Sequence, residues 1–179
     1  MEHRTSTFKV LLTVFVFGFV IWLGGTMFRT TIAYNLFEIS PLMELKPEYT
    51  NMERMNTIYI FAVTSLMTGI AYCFTLVSSI VLAHMTRKEF RERGWLFIAF
   101  VLFIITAPIQ CYFVYLDYHL SDAVYYRKII DFYHPDIQQF FVQRFQNVTN
   151  SSLRTIVLIA NFTTMLYAIW RPLETKKHK

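Results

Sequence analysis

Two histidines and four aspartates fall in one short stretch: Asp117-Tyr-His119-Leu-Ser-Asp122, then Asp131-Phe-Tyr-His134-Pro-Asp136. Imidazole nitrogen and carboxylate oxygen are ordinary ligands for zinc and other divalent ions. His119, His134, Asp117, Asp122, Asp131 and Asp136 are therefore the candidate metal ligands. Their spacing follows no compact ligand motif. Acids in a first helical turn also favour the helix dipole, which is the competing reading of Asp122 and Asp136. Met43, Met52 and Met55 are soft enough for Cu(I), but methionines facing lipid or packing in a groove are commoner.

Other chemistries find less support. An intramembrane bis-histidine haem needs two histidines at one depth. His84 closes one apolar run and His119 follows the next, so about 30 Å of hydrocarbon would separate them. Cys73 and Cys111 stand singly in apolar runs, with no Cys-x-x-Cys pair for zinc or redox chemistry. The chain has no Gly-x-Ser-x-Gly elbow and no glycine-rich phosphate loop. No cofactor is expected.

The elements that would hold these residues are four apolar runs. In a chain that is 55% hydrophobic, the spans fall at about 10–28, 56–83, 95–116 and 153–170, with outer loops at 29–55 and 117–152. A helix needs about 20 apolar residues to cross a ~30 Å hydrocarbon core. The uncharged part of the fourth run, Thr155 to Trp170, is short, about 24 Å at 1.5 Å per residue, and Leu153 with a snorkelling Arg154 can extend it. The first run is too long for a signal peptide and has no cleavage site after it, so it is expected to be retained. The fold class is therefore an all-α integral membrane protein: an antiparallel four-helix transmembrane bundle with short amphipathic helices on its outer face.

Arg4, Lys9, Arg87, Lys88, Arg91, Arg93, Arg171, Lys176, Lys177 and Lys179 flank the spans on one side. The other side carries seven cations against eight acids. The positive-inside rule makes the first side, with both termini, cytoplasmic. The net charge of +5 is thus topogenic, and no nucleic-acid partner is expected.

In the outer loops, Thr50 and Glu53 form a capping-box pattern that starts the second helix near Asn51. Pro135 suits a first helical position, with Ile137, Phe140, Phe141, Phe145 and Val148 on one face and Gln138, Gln139, Gln143 and Arg144 mostly off it. Ser121 is a candidate cap for an earlier short helix carrying Ala123, Tyr126, Ile130 and Tyr133.

The apolar runs contain no Asp, Glu, Lys, Arg or His. Their polarity is mild: Gln110, Asn161, Thr163 and Thr164, with Thr64, Thr68, Thr75, Ser78 and Ser79 on the second helix. Such groups join helices or line a solute path, and the stripe of Thr64, Thr68, Ala71 and Thr75 favours joining. Depth places Gln110 and Asn161 within reach of each other, both facing the interior. Pro108 leaves the Ile104 carbonyl without its helical donor, a candidate kink.

Gly24 and Gly25 allow close backbone approach. The segment Trp22-Leu-Gly24-Gly25-Thr-Met-Phe28 resembles the Trp-x-Gly-Gly segment of several small multi-pass families, the copper-resistance-D-like membrane proteins among them. The histidine that precedes it in those families is absent here, and the resemblance implies no function. Lys176 and Lys177 resemble a dilysine endoplasmic-reticulum retrieval signal. Asn147-Val-Thr149 and Asn150-Ser-Ser152 are glycosylation sequons, close to the fourth span. Compact loops favour a bacterial cytoplasmic membrane over the endoplasmic reticulum.

The expected function is a non-catalytic accessory, assembly or scaffold component of a membrane complex. Its partners would be the lipid bilayer and either another membrane protein or further copies of this chain. A small-solute or ion transporter or channel is the alternative. A membrane enzyme using the outer His/Asp group comes third.

Overall fold

The computed structural model describes residues 6–38, 40 and 43–172. It is all-helical, 83% helix with no strand among the described residues. Helix α1 spans Ser6–Tyr34, α2 Asn51–Thr86 and α3 Gly94–Ser121. Two short helices follow, α4 at Pro135–Ile137 and α5 at Gln143–Gln146, joined by a π-turn at Gln138–Val142. Helix α6 spans Val148–Trp170. Four of these helices (α1, α2, α3 with its extension, and α6) are long and apolar enough to cross a membrane.

Each long helix outruns its apolar run, for identifiable reasons. Thr50 caps α2: its hydroxyl accepts from the Glu53 amide while the Glu53 carboxylate accepts from the Thr50 amide, the reciprocal pair expected from the sequence. Asn147 caps α6 by accepting from the Thr149 and Asn150 amides. Helix α6 therefore begins five residues before the expected 153 and gains the length its apolar run lacked. Helix α3 runs through Pro108 and continues past Ser121 as a π-turn at Asp122–Tyr126. Ser121 is thus interior to a long helix, not the cap of a separate one. Its hydroxyl donates instead to the Ala62 carbonyl of α2, 3.3 Å away.

The packing order is α1 on α2, α2 on α3, and α3 on α6. Small residues set the first contact. A Cβ built on Gly18 would sit 2.5 Å from Thr75 Oγ1, and one on Gly25 would sit 2.5 Å from Thr68 Cγ2. The Thr68, Ala71 and Thr75 stripe therefore receives α1, while Gly24 faces open space. As numbering rises along α1 it falls along α2 at these contacts. The same reversal relates α3 and α6, where Ala99 meets Thr164 and Thr106 meets Asn161.

Two apolar clusters fill the molecule. One lies mid-length, around Phe19, Trp22, Tyr72, Phe103 and Val157. The larger lies at the end where α1 stops and α2 starts, around Leu36, Phe37, Phe61, Leu120, Phe141 and Phe145. The segment α4–α5 covers this aromatic end, burying Ile137, Phe141, Val142 and Phe145. Phe140 is half-buried, while Val148 falls outside the buried face and is exposed. Along the long helices the opposite pattern holds. Only 22–39% of each apolar window is buried, so large side chains such as Phe17, Met67, Ile105 and Ile159 point outward.

Candidate functional site

The aromatic end holds the chemistry. Trp22 to Arg29, Gln110 to Asp117 and Arg154 to Asn161 are each one heptad apart on α1, α3 and α6. A heptad returns a helical residue to nearly the same face, so the charged residue of each pair follows its neighbour inward. Arg29, Asp117, Arg144 and Arg154 are all buried.

Asp117 is the hub. Its Oδ2 lies 2.7 Å from Arg29 Nη1, and its Oδ1 accepts from Arg144 Nη1. All three side chains are no more than 3% exposed. One carboxylate thus links α1, α3 and α5. The guanidiniums rest on rings: Arg29 lies 4.9 Å from the Phe61 centroid, and Arg144 lies 5.4 Å from Phe61 and 5.0 Å from Phe113. These contacts exploit the negative ring face.

Arg154 of α6 completes the group. It donates to the Tyr34 hydroxyl of α1 at 2.6 Å and stacks on Phe145 at 4.5 Å and Tyr34 at 5.2 Å. Phe145 in turn packs on Phe61, the ring shared by Arg29 and Arg144. Among the described residues no acid pairs with Arg154. Three guanidiniums against one carboxylate leave two positive charges buried together. Arg29 Nε, Arg144 Nε and Arg154 Nη1 have no hydrogen-bond partner.

The expectation that Arg154 snorkels and that Arg144 lies off the apolar face is corrected by this arrangement. Arg144 follows the π-turn at Gln138–Val142, which shifts the register of a regular helical wheel, and it is buried. The apolar runs do lack charge, but the helices do not: Arg29, Arg54, Asp117 and Arg154 are helical and buried. Arg54 stands apart, donating to the Lys46 carbonyl and the Tyr133 hydroxyl with Phe132 beneath it.

The six residues read as metal candidates are not gathered into one place. Asp117 is engaged by arginines. Asp122 and Asp136 both pair with the half-exposed Arg127. Asp131 accepts from the Tyr133 amide. His134 caps α4 by accepting from the Asp136 amide, and the His119 ring stacks on Phe140 at 5.2 Å. No group of three His, Cys, Asp or Glu in ligand arrangement occurs among the described residues.

Gln110 and Asn161 are both buried, but no hydrogen bond joins them among the described residues. The Asn161 amide donates to Thr106 Oγ1 at 3.3 Å and to the Val157 carbonyl at 2.8 Å. Thr106 lies one turn deeper than Gln110, about 6 Å, which matches the depth of Asn161 better.

Beside the cluster, an apolar groove of about 400 Å³ runs between α2 and α3, lined by Gly69, Cys73, Phe74 and Val114 and ending at Asp117. Its walls offer space but almost no polar chemistry. The dilysine-like tail lies outside the described residues.

Compared with known proteins, the chain matches no family model, no curated protein and no solved structure.

Proposed function

We propose that this chain is an integral membrane protein, an antiparallel four-helix transmembrane bundle that serves as a non-catalytic component of a membrane complex. The observation that carries this reading is the use made of its buried charge. The contacts of Arg29, Asp117, Arg144 and Arg154 run from one helix to another, which clamps the aromatic end. Most hydroxyls along the long helices bond back to their own helix, as at Thr75, Ser78, Ser79 and Thr163, which suits packing better than conduction. The outward apolar side chains suit lipid. At the rim of the aromatic end Tyr118, Tyr126, Ile130 and Tyr133 are exposed, a surface of the kind that meets a protein partner.

Both termini are placed in the cytoplasm, with a bacterial cytoplasmic membrane favoured over the endoplasmic reticulum. In a background lacking Cys73 and Cys111, cysteines at 90 and 178 should resist an impermeant thiol reagent in intact cells, and one at 122 should react. Labelling of all three from outside would overturn the orientation. The complex itself is tested by purification in mild detergent. A stoichiometric partner that is lost on Tyr126→Asp or Ile130→Asp supports the proposal. A chain that purifies alone at native expression refutes it.

A small-solute or ion transporter is the second reading. It is favoured by the buried Arg29–Asp117–Arg144 group, because ionisable groups in membrane helices often mark ion paths. Flux through the reconstituted chain alone decides for it. The His/Asp enzyme reading gains no comparable support.

A further inference from the structure

We propose that Arg29, Arg144 and Arg154 form a binding site for a phosphate-class oxyanion at the aromatic end. Buried cations are normally matched by acids, because the penalty for removing them from water is recovered only by close counter-charge. Here one carboxylate faces three guanidiniums. The rings of Phe61, Phe113, Phe145 and Tyr34 contribute attraction, but less than two unmatched buried charges cost. Glu38, Glu44, Glu48 and Glu53, the acids of the neighbouring loop and of the α2 start, are all exposed and make no ion pair with the three arginines. Among the described residues, therefore, no acid supplies the missing negative charge.

Geometry points the same way. A free N–H remains on each of the three guanidiniums: Arg29 Nε, Arg144 Nε and Arg154 Nη1. Arginine forks match the oxygens of a phosphate, and several donors from different helices can share one such group. Arg29 and Arg144 meet at one carboxylate and at the Phe61 ring, and Arg154 stacks on Phe145, which packs on Phe61. The site occupies the ends of α1, α3 and α6, where helices leave the hydrocarbon. A lipid headgroup phosphate and a free phosphate are both available at that depth. The inference does not depend on whether a protein partner exists.

The test uses the full chain purified in dodecyl maltoside, which carries no phosphate, with thermal unfolding as the readout. Inorganic phosphate is titrated at constant ionic strength in one arm. Phosphatidylglycerol is added as mixed micelles in the other. Phosphorus bound after exhaustive detergent exchange is measured in both. At a hundredfold excess over Kd, the midpoint should rise by about 5–10 °C. A rise with inorganic phosphate identifies a free oxyanion as sufficient. A rise with phosphatidylglycerol alone, or retained phospholipid, identifies the headgroup.

Arg154→Gln should abolish the response. Should that variant fail to fold, Tyr34→Glu keeps the question open to refutation. It sets a carboxylate beside Arg154, where the Tyr34 hydroxyl now accepts. It should raise the midpoint without added anion and remove the response to one. No rise in either arm together with no bound phosphorus overturns the proposal. A Tyr34→Glu variant that responds as strongly as the unmutated chain also overturns it.

Discussion

Asp117→Asn keeps the side chain's shape and removes its charge, which makes it the sharpest probe of the aromatic end. The carboxylate receives Arg29 at 2.7 Å and Arg144 on its other oxygen, and every partner is nearly inaccessible to solvent. The Arg144 hydrogen bond to the carboxylate contributes roughly 1.5–3 kcal/mol and the buried Arg29 ion pair on the other oxygen a similar amount, about 3–6 kcal/mol together. Removing one member of a buried pair independently suggests about 3–5 kcal/mol. The two routes agree on a loss of about 3–5 kcal/mol, a large share of the 5–15 kcal/mol typical of a folded domain.

The control lies in the same chain. Asp122 also pairs with an arginine, Arg127, at 3.1 Å, but the two side chains are 36% and 45% exposed. Solvent screening limits such a pair to under about 1 kcal/mol. Unfolding by SDS titration in mixed micelles should therefore show Asp117→Asn far below the unmutated chain and Asp122→Asn almost unchanged. A triple variant, Arg29→Met with Asp117→Leu and Arg144→Met, should recover most of the single variant's loss, because apolar groups of similar volume do not need counter-charge. Equal effects of the two asparagine variants would refute the assignment of Asp117 as the hub. A triple variant weaker than Asp117→Asn would show that the arginines act on something other than the carboxylate.

Gly18→Ala should weaken the α1–α2 contact by about 1–3 kcal/mol, since its Cβ would sit 2.5 Å from Thr75 Oγ1 and 3.0 Å from the Ala71 carbonyl. Gly24→Ala meets nothing within 4 Å and should be neutral or slightly stabilising, and the same SDS titration compares the two. Asn147→Ala should cost about 1 kcal/mol and raise amide hydrogen exchange in the first turn of α6, because it removes acceptors for the Thr149 and Asn150 amides. Asn161→Leu should cost about 0.6 kcal/mol, and Thr106→Val should add little to it if the two residues share one bond. Additive losses in that double variant would show the bond to be unimportant.

The four long helices were legible because lipid-length apolar runs have no other common use in a chain of this composition. The start of α2 was legible because Thr50 and Glu53 satisfy each other within four residues. The ends of α1, α3 and α6 lie beyond the apolar runs, and the reason is physical. Counting apolar residues stops at the first charge, whereas the helix stops where its backbone donors and acceptors find other partners. Arg29, Asp117 and Arg154 stay helical and inside because each contacts polar groups remote in sequence, at separations no local stretch spans.

A local signal did exist. Arg29, Asp117 and Arg154 each stand one heptad from a buried Trp22, Gln110 or Asn161. Read along those stripes, two arginines and the aspartate converge on the end of the bundle that carries the most aromatic rings, while the π-turn before Arg144 hides it from a regular wheel. Asp117 and His119, by contrast, stand close in sequence but on different sides of α3. Proximity along a helix of 3.6 residues per turn separates neighbours around the axis, and periodicity brings distant residues to one face. For a chain whose charges are few, the face on which a charge falls is therefore a better guide to its role than the company it keeps in sequence.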